Sequence, residues 1–184
     1  ITPGFQRAAD SAEAILRGAP TPPPGHAYEA AAIDLDDAGD VNGDGYSDMI
    51  VAANNLGSTR GKAYVYLGSA SGLATTPAWT ATGENTGNDF GAAVATAGDL
   101  NGDGNLDLVA SANDDFTSVR LGQGNGTFGA VTSYTAENGG SRGLALEDLN
   151  KDGALDLVTA GGGASGVATV RLGAGNGSFA AAVT

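Results

Sequence analysis

The chain has 184 residues with 31 glycines, 6 prolines and no cysteine, is 41% apolar, and sets 8 basic against 21 acidic residues for a formal charge of −13. This composition excludes a disulfide scaffold, a collagen-like or wholly disordered chain, and nucleic acid or an anionic membrane surface as partner. It points to one turn-rich domain whose natural counter-ions are cations, with no apolar run near the roughly 20 residues of a membrane span.

Residues 1–30 stand apart from the rest. Ile1 in place of Met is read as a sign of a processed chain, a fragment or a trimmed one. Phe5, Ala8, Ala9, Ala12, Ile15 and Leu16 recur at helical spacing and Gly18 follows as a stop, which predicts one short amphipathic helix over residues 5–17. Pro20, Pro22, Pro23 and Pro24 then predict an extended linker. The segment reads as a tail, as an edge cover for the first repeat, or as an arm that docks on a neighbouring chain. His26, after the proline run, reads as an exposed loop histidine.

Residues 31–184 carry a threefold repeat, with units at about 31–89, 90–138 and 139–184. Three segments align: Asp40-Val-Asn-Gly-Asp-Gly-Tyr-Ser-Asp48, Asp99-Leu-Asn-Gly-Asp-Gly-Asn-Leu-Asp107 and Asp148-Leu-Asn-Lys-Asp-Gly-Ala-Leu-Asp156. Each leads into a short apolar run (49–53, 108–112, 157–160) that reads as a buried strand. A second, alternating strand follows (62–67, 118–121, 169–172). The next turn is nearly copied between Leu121-Gly-Gln-Gly-Asn-Gly-Thr-Phe128 and Leu172-Gly-Ala-Gly-Asn-Gly-Ser-Phe179, and its Asn-Gly pairs suit positive φ. With a strand before each acidic loop, clearest at Phe90–Thr96, and a short last outer strand, each unit has the size of a four-stranded propeller blade. The predicted fold is all-β: three β-propeller-like blades, too few for the four to eight of a closed ring, hence an open array, a fragment, or blades completed by assembly.

Within each loop, oxygen-bearing side chains fall at positions 1, 3, 5 and 9: Asp40, Asn42, Asp44, Asp48; Asp99, Asn101, Asp103, Asp107; Asp148, Asn150, Asp152, Asp156. Position 7 (Tyr46, Asn105, Ala154) is expected to add a main-chain carbonyl. Position 6 is glycine each time, where a reversal at positive φ brings the preceding oxygens together. Crowded carboxylates repel by about a few kcal/mol per pair at an intermediate dielectric. A calcium ion seeks about six to eight oxygens and relieves that repulsion. Three calcium sites are therefore expected. Magnesium fits less well because it keeps its waters, and zinc or copper lack nitrogen and sulfur ligands. Position 12 is Val51, Ala110 or Thr159, not the glutamate of an EF-hand. Lys151, in place of a glycine, predicts the weakest calcium affinity in the third loop.

The run Phe90-Gly-Ala-Ala-Val-Ala-Thr-Ala-Gly-Asp-Leu-Asn-Gly-Asp-Gly-Asn-Leu-Asp-Leu-Val109 resembles the FG-GAP repeat of integrin α-subunit propellers and of many bacterial surface proteins. Units two and three also resemble VCBS-type repeats. The resemblance covers about residues 31–184. It departs at Ala31-Ala32 and Gly139-Gly140, where the Phe-Gly pair belongs. It implies propeller blades with calcium in the loop between their first two strands, bound by the residues just named.

No nucleophile elbow, phosphate-binding loop or basic cluster is visible, so the chain reads as non-enzymatic. Tyr64, Tyr66 and Trp79 read as packing between blades, with a carbohydrate site as the sharper alternative. Asn125-Gly-Thr127 and Asn176-Gly-Ser178 match the glycosylation pattern but coincide with the repeated turn. The expected function is an extracellular calcium-stabilised module for adhesion or self-assembly, with a protein partner or copies of itself. The rivals are an accessory or catalytic region of a secreted polysaccharide- or lipid-active enzyme, and a sugar-binding lectin.

Overall fold

A computed structural model describes residues 33–53, 60–83, 90–112, 116–135, 141–161 and 167–183. The expected helix, linker and His26 lie outside the described residues, as do Ala31-Ala32 and Gly139-Gly140. All regular structure in the described residues is β. The first sheet holds β1 (Ile33–Gly39), β2 (Asp48–Ala53), β3 (Lys62–Tyr66) and β4 (Trp79–Thr82), in that order. The second holds β5 (Ala93–Thr96), β6 (Leu108–Ser111), β7 (Phe116–Gly122) and β8 (Phe128–Thr135), and the third β9 (Ser141–Glu147), β10 (Asp156–Gly161) and β11 (Ala168–Arg171). Neighbouring strands are antiparallel throughout.

Each sheet is a blade, and the blades meet along their first strands, β1 against β5 and β5 against β9. The fourth strand expected in the third unit is reduced to two isolated bridges, Gly173↔Phe179 and Val170↔Val183. The intervening Ala180-Ala-Ala182 run has little of the branched or aromatic surface that holds an edge strand.

The second strand of a blade is buried on both faces, which is why its sequence is a continuous apolar run and not an alternation. Alternate residues then serve different neighbours. Ile50 and Ala52 face the second blade with Ala63, Val65 and Ala81, and meet Phe90, Val94, Leu108 and Ala110. Val109 and Val119 face the third blade and meet Leu157 and Phe179. Burying each branched side chain at these two joints contributes about 1.5 to 3 kcal/mol. The opposite face of the first blade is a cluster of its own, Met49, Val51 and Tyr66, with Tyr64 and Leu73 packed on it.

The aromatic expectations divide accordingly. Trp79 bridges blades, its ring centroid 5.0 Å from that of Phe128. Tyr64 and Tyr66 instead pack 6.4 Å apart within their own blade. In the copied turn, positive φ belongs to the glycines, Gly124, Gly126, Gly175 and Gly177, and not to the asparagines between them. Asn125 stays in the ordinary region because its side chain accepts from the Thr127 N–H and hydroxyl, as Asn176 does from Ser178.

Candidate functional site

The three acidic loops join the first strand of each blade to the second, as the sequence predicts. Each is folded by its own side chains. In the first, one Asp40 oxygen accepts from the Asp44 N–H at 3.0 Å and the other from the Gly45 N–H at 2.8 Å. The Asn42 carbonyl oxygen reaches the same Asp44 N–H at 3.1 Å. Asp44 accepts from the Tyr46 N–H at 2.9 Å and from the Asn42 amide at 2.9 Å. The second loop repeats the set with Asp99, Asn101 and Asp103, where Asp99 also takes the Gly102 N–H, and the third with Asp148, Asn150 and Asp152. Positions 1 and 3 thus aim oxygens at one amide in all three copies. Positions 1 and 5 together hold the N–H groups of positions 5, 6 and 7.

Position 9 has a different task. Asp48 and Asp156 are buried as the first residues of β2 and β10, and Asp107 is buried immediately before β6. One oxygen accepts from the position 2 amide: Val41 at 2.9 Å, Leu100 at 2.7 Å, Leu149 at 3.0 Å. The other accepts from a glycine just beyond or at the end of the third strand: Gly68 at 2.7 Å, Gly122 at 2.7 Å, Gly173 at 2.8 Å. A Cβ on any of these glycines would lie 2.1 Å from a main-chain oxygen, of Ser47, Leu106 or Leu155. Glycine is therefore the residue that lets the third strand close on the acidic loop.

The electrostatics follow this division. Burial raises the Asp48 and Asp107 carboxyls above the usual aspartate value, partly offset by their two amide bonds and reinforced by the charges at positions 5 and 1. The exposed Asp103 and Asp152 lie below it, Asp103 chiefly through the Asn101 amide and Asp152 chiefly through the Ala154 N–H. Lys151 adopts φ 62°, close to the 74° of Gly43 and Gly102 at the same position. A side chain in this left-handed region costs about 1 to 2 kcal/mol, so the third loop carries strain that the others lack.

The loops place side-chain oxygens at positions 1, 3 and 5 around a tight turn. Among the described residues no three His, Cys, Asp or Glu side chains are gathered so that they could hold a metal ion; the convergent set mixes two aspartates with asparagine. Its donors are all oxygen, the chemistry of a hard cation. Each carboxylate oxygen that accepts one N–H retains a second lone pair for such an ion.

Sequence reasoning expected Trp79 between blades but missed its partners and the hydrogen bonds beside it. The Gly126 N–H donates to the Val41 carbonyl at 3.2 Å and the Gly177 N–H to the Leu100 carbonyl at 2.9 Å, so the copied turn of one blade rests on the acidic loop of the blade before. Arg120 stacks over Trp79 and Arg171 over Tyr134, each 5.5 Å from the ring centroid. The opposing edge contact comes from Phe128 on Trp79 and from Phe179 on Tyr134. The signal was present in the copied Val-Arg-Leu-Gly and Asn-Gly-Thr/Ser-Phe strings.

Comparison with known proteins agrees with this architecture. The profile of the FG-GAP-like repeat matches residues 40–110 and 99–159. Integrin alpha-6 of Gallus gallus is 40% identical over 86 residues, a stretch that covers 46% of this chain and 8% of the integrin. On the three copied loops, the blades they join and the repeat matches that span them, the chain belongs to the FG-GAP-like repeat family.

Proposed function

We propose that this chain is an extracellular, non-catalytic module in which calcium at the three acidic loops rigidifies propeller-like blades for adhesion or assembly. The observation that carries the reading is the triplicated loop, in which the oxygens of positions 1 and 3 meet at the position 5 amide in every copy. Calcium would be held by Asp40, Asn42 and Asp44 in the first loop and by their counterparts in the others. The carbonyl of position 7 would add a further oxygen to each set, and the position 9 carboxylate, with both oxygens on main chain, braces the loop around it. Calcium is abundant outside cells, and a chain with no cysteine gains most from a metal that ties its loops. The charge of −13 supports uptake of several divalent ions.

Calorimetric titration of the metal-free chain with calcium chloride tests the reading. Three binding events are expected, the weakest at the loop that carries Lys151, together with a higher melting temperature that a chelator reverses. A melt indifferent to calcium and chelator sinks it. Third-loop filling ahead of the others overturns the ranking of sites.

A further inference from the structure

The two joints between blades differ in chemistry at one matched place. Met49↔Tyr66, Leu108↔Arg120 and Leu157↔Arg171 are the equivalent strand pairs that follow position 9 in the three blades. Counting from them, Ala52 and Ala63 of the first blade match Ser111 and Thr117 of the second, and Ala110 and Ser118 of the second match Thr159 and Thr169 of the third. Ser111 and Thr117 lie two residues from Val109 and Val119 and share the face that those valines turn to the third blade. Thr159 lies two residues from Leu157, and Thr169 two from Arg171, on the face turned back to the second blade. Where the first joint is closed by Ala52, Ala63 and Ala110, the second therefore holds four hydroxyl residues, Ser111, Thr117, Thr159 and Thr169, all buried.

Ser111 is satisfied inside its own blade, accepting from the Ala93 N–H at 2.9 Å and donating to the Ala93 carbonyl at 3.4 Å. Thr117 is not. The residue is 1% exposed, and its Oγ1 is enclosed with no hydrogen-bond partner among the described residues. Tyr134, opposite Thr117 in register, turns its ring to Phe179 and Arg171, and its hydroxyl accepts from the Phe179 N–H. The second joint also receives one ring fewer. In the first joint Phe90 packs in one cluster with Ala52 and Ala63, whereas the third unit has Gly139 at that sequence position, which brings no side chain.

We propose that the joint between the second and third blades binds one ordered water, held by the Thr117 hydroxyl and, across the joint, by the hydroxyl of Thr159 or Thr169. A buried water takes about two to four polar partners, and threonine hydroxyls can both donate to it and accept from it. The site answers the one hydroxyl that the protein itself leaves unpaired there, at the place where the joint lacks a ring. The first joint, with alanines at the matched positions, has nothing to hold such a water. One joint is dry and the other wet, and the water exchanges only when the third blade parts from the second. The site involves neither calcium nor a partner chain, so it stands or falls apart from the proposed function.

Magnetic relaxation dispersion of oxygen-17 water counts long-lived internal waters in the full chain and tests the site. Thr117→Val should lose one such water and raise the unfolding equilibrium constant about fivefold or more, while Thr117→Ser keeps the water. A dry, partnerless hydroxyl predicts the reverse: valine fills the same shape, the chain becomes more stable and the water count does not change. That result overturns the proposal. Thr159→Val and Thr169→Val identify the second partner, because the one that shares the water loses the same single water and is non-additive with Thr117→Val. If neither does, the water does not bridge the blades and the proposal fails. Should Thr117→Val not fold, a high-resolution crystal structure of the unaltered chain decides, by electron density within hydrogen-bond reach of both Thr117 Oγ1 and a third-blade hydroxyl or by its absence.

Discussion

The amide of Gly126 in the second blade donates to the carbonyl of Val41 in the acidic loop of the first, while the Val41 amide is held by Asp48. One residue is thus clamped from two sides, by a carboxylate of its own blade and by a turn of the next. The same pairing recurs at Leu100 between Asp107 and Gly177. Loop and joint are mechanically one unit.

Removing the position 9 carboxylate therefore exposes a large cost even without metal. Asp107→Ala leaves the buried N–H groups of Leu100 and Gly122 without partners, at about 1 to 3 kcal/mol each. Asp156→Ala orphans two amides nearer the surface and is expected to cost less. Urea unfolding of the calcium-free variants checks the order, and equal losses speak against the role assigned to position 9.

The glycines that answer those carboxylates admit no side chain. Gly122→Ala places a methyl 2.1 Å from the Leu106 oxygen, an atom fixed in the backbone, and is expected to destabilise by several kcal/mol or to prevent folding. Gly129→Ala meets nothing closer than 3.5 Å and should change stability by about 0.5 kcal/mol or less. Similar melts for both variants contradict the contact.

Trp79 is the single tryptophan and lies in the first joint, so its emission reports that joint alone. Phe128→Ala removes a buried ring and its edge contact. It should cost about 3 to 5 kcal/mol and shift Trp79 emission to the red. Phe179→Ala, at the second joint, should destabilise while leaving the emission of the folded chain unchanged. A red shift in both variants would mean that the joints do not act separately.

These contacts mark what was legible in the sequence. Repetition made the blade pattern and the acidic loops readable, because period and spacing survive in one dimension. The dual task of position 9 was not readable. Asp48 has the same spacing logic as Asp40 and Asp44, and only burial at the head of β2 shows that both its oxygens hold main chain. At the joints Trp79 was legible as packing between blades, but its partner was not, for a related reason. Trp79 and Phe128 lie in different units, and no local period connects an aromatic on one fourth strand to the turn of the next blade.

The four shifted carboxyls set a pH profile for the metal-free chain. Asp48 and Asp107 are raised above 3.8, so the folded chain keeps protons that the unfolded chain has lost. Their contribution is complete below 3.8 and is lost as pH rises through the raised values. Asp103 and Asp152 are lowered, and their contribution is complete above 3.8 and lost as pH falls through the lowered values. The combined contribution of these four groups is therefore greatest near the ordinary aspartate value, and repulsion within a chain of charge −13 adds to the decline toward neutrality. Urea midpoints in calcium-free buffers between about pH 3 and 7 check this. A midpoint that climbs steadily to neutrality refutes it.

The first blade closes its own front face with Tyr64, Tyr66 and Leu73. It emerges from the ribosome before the two blades that follow it here, and with that face already covered by its own side chains it offers them a template on which to condense. Synthesis order and docking order coincide, and what the first blade leaves uncovered until the second arrives is the single face that carries Ile50, Ala52, Val65 and Ala81.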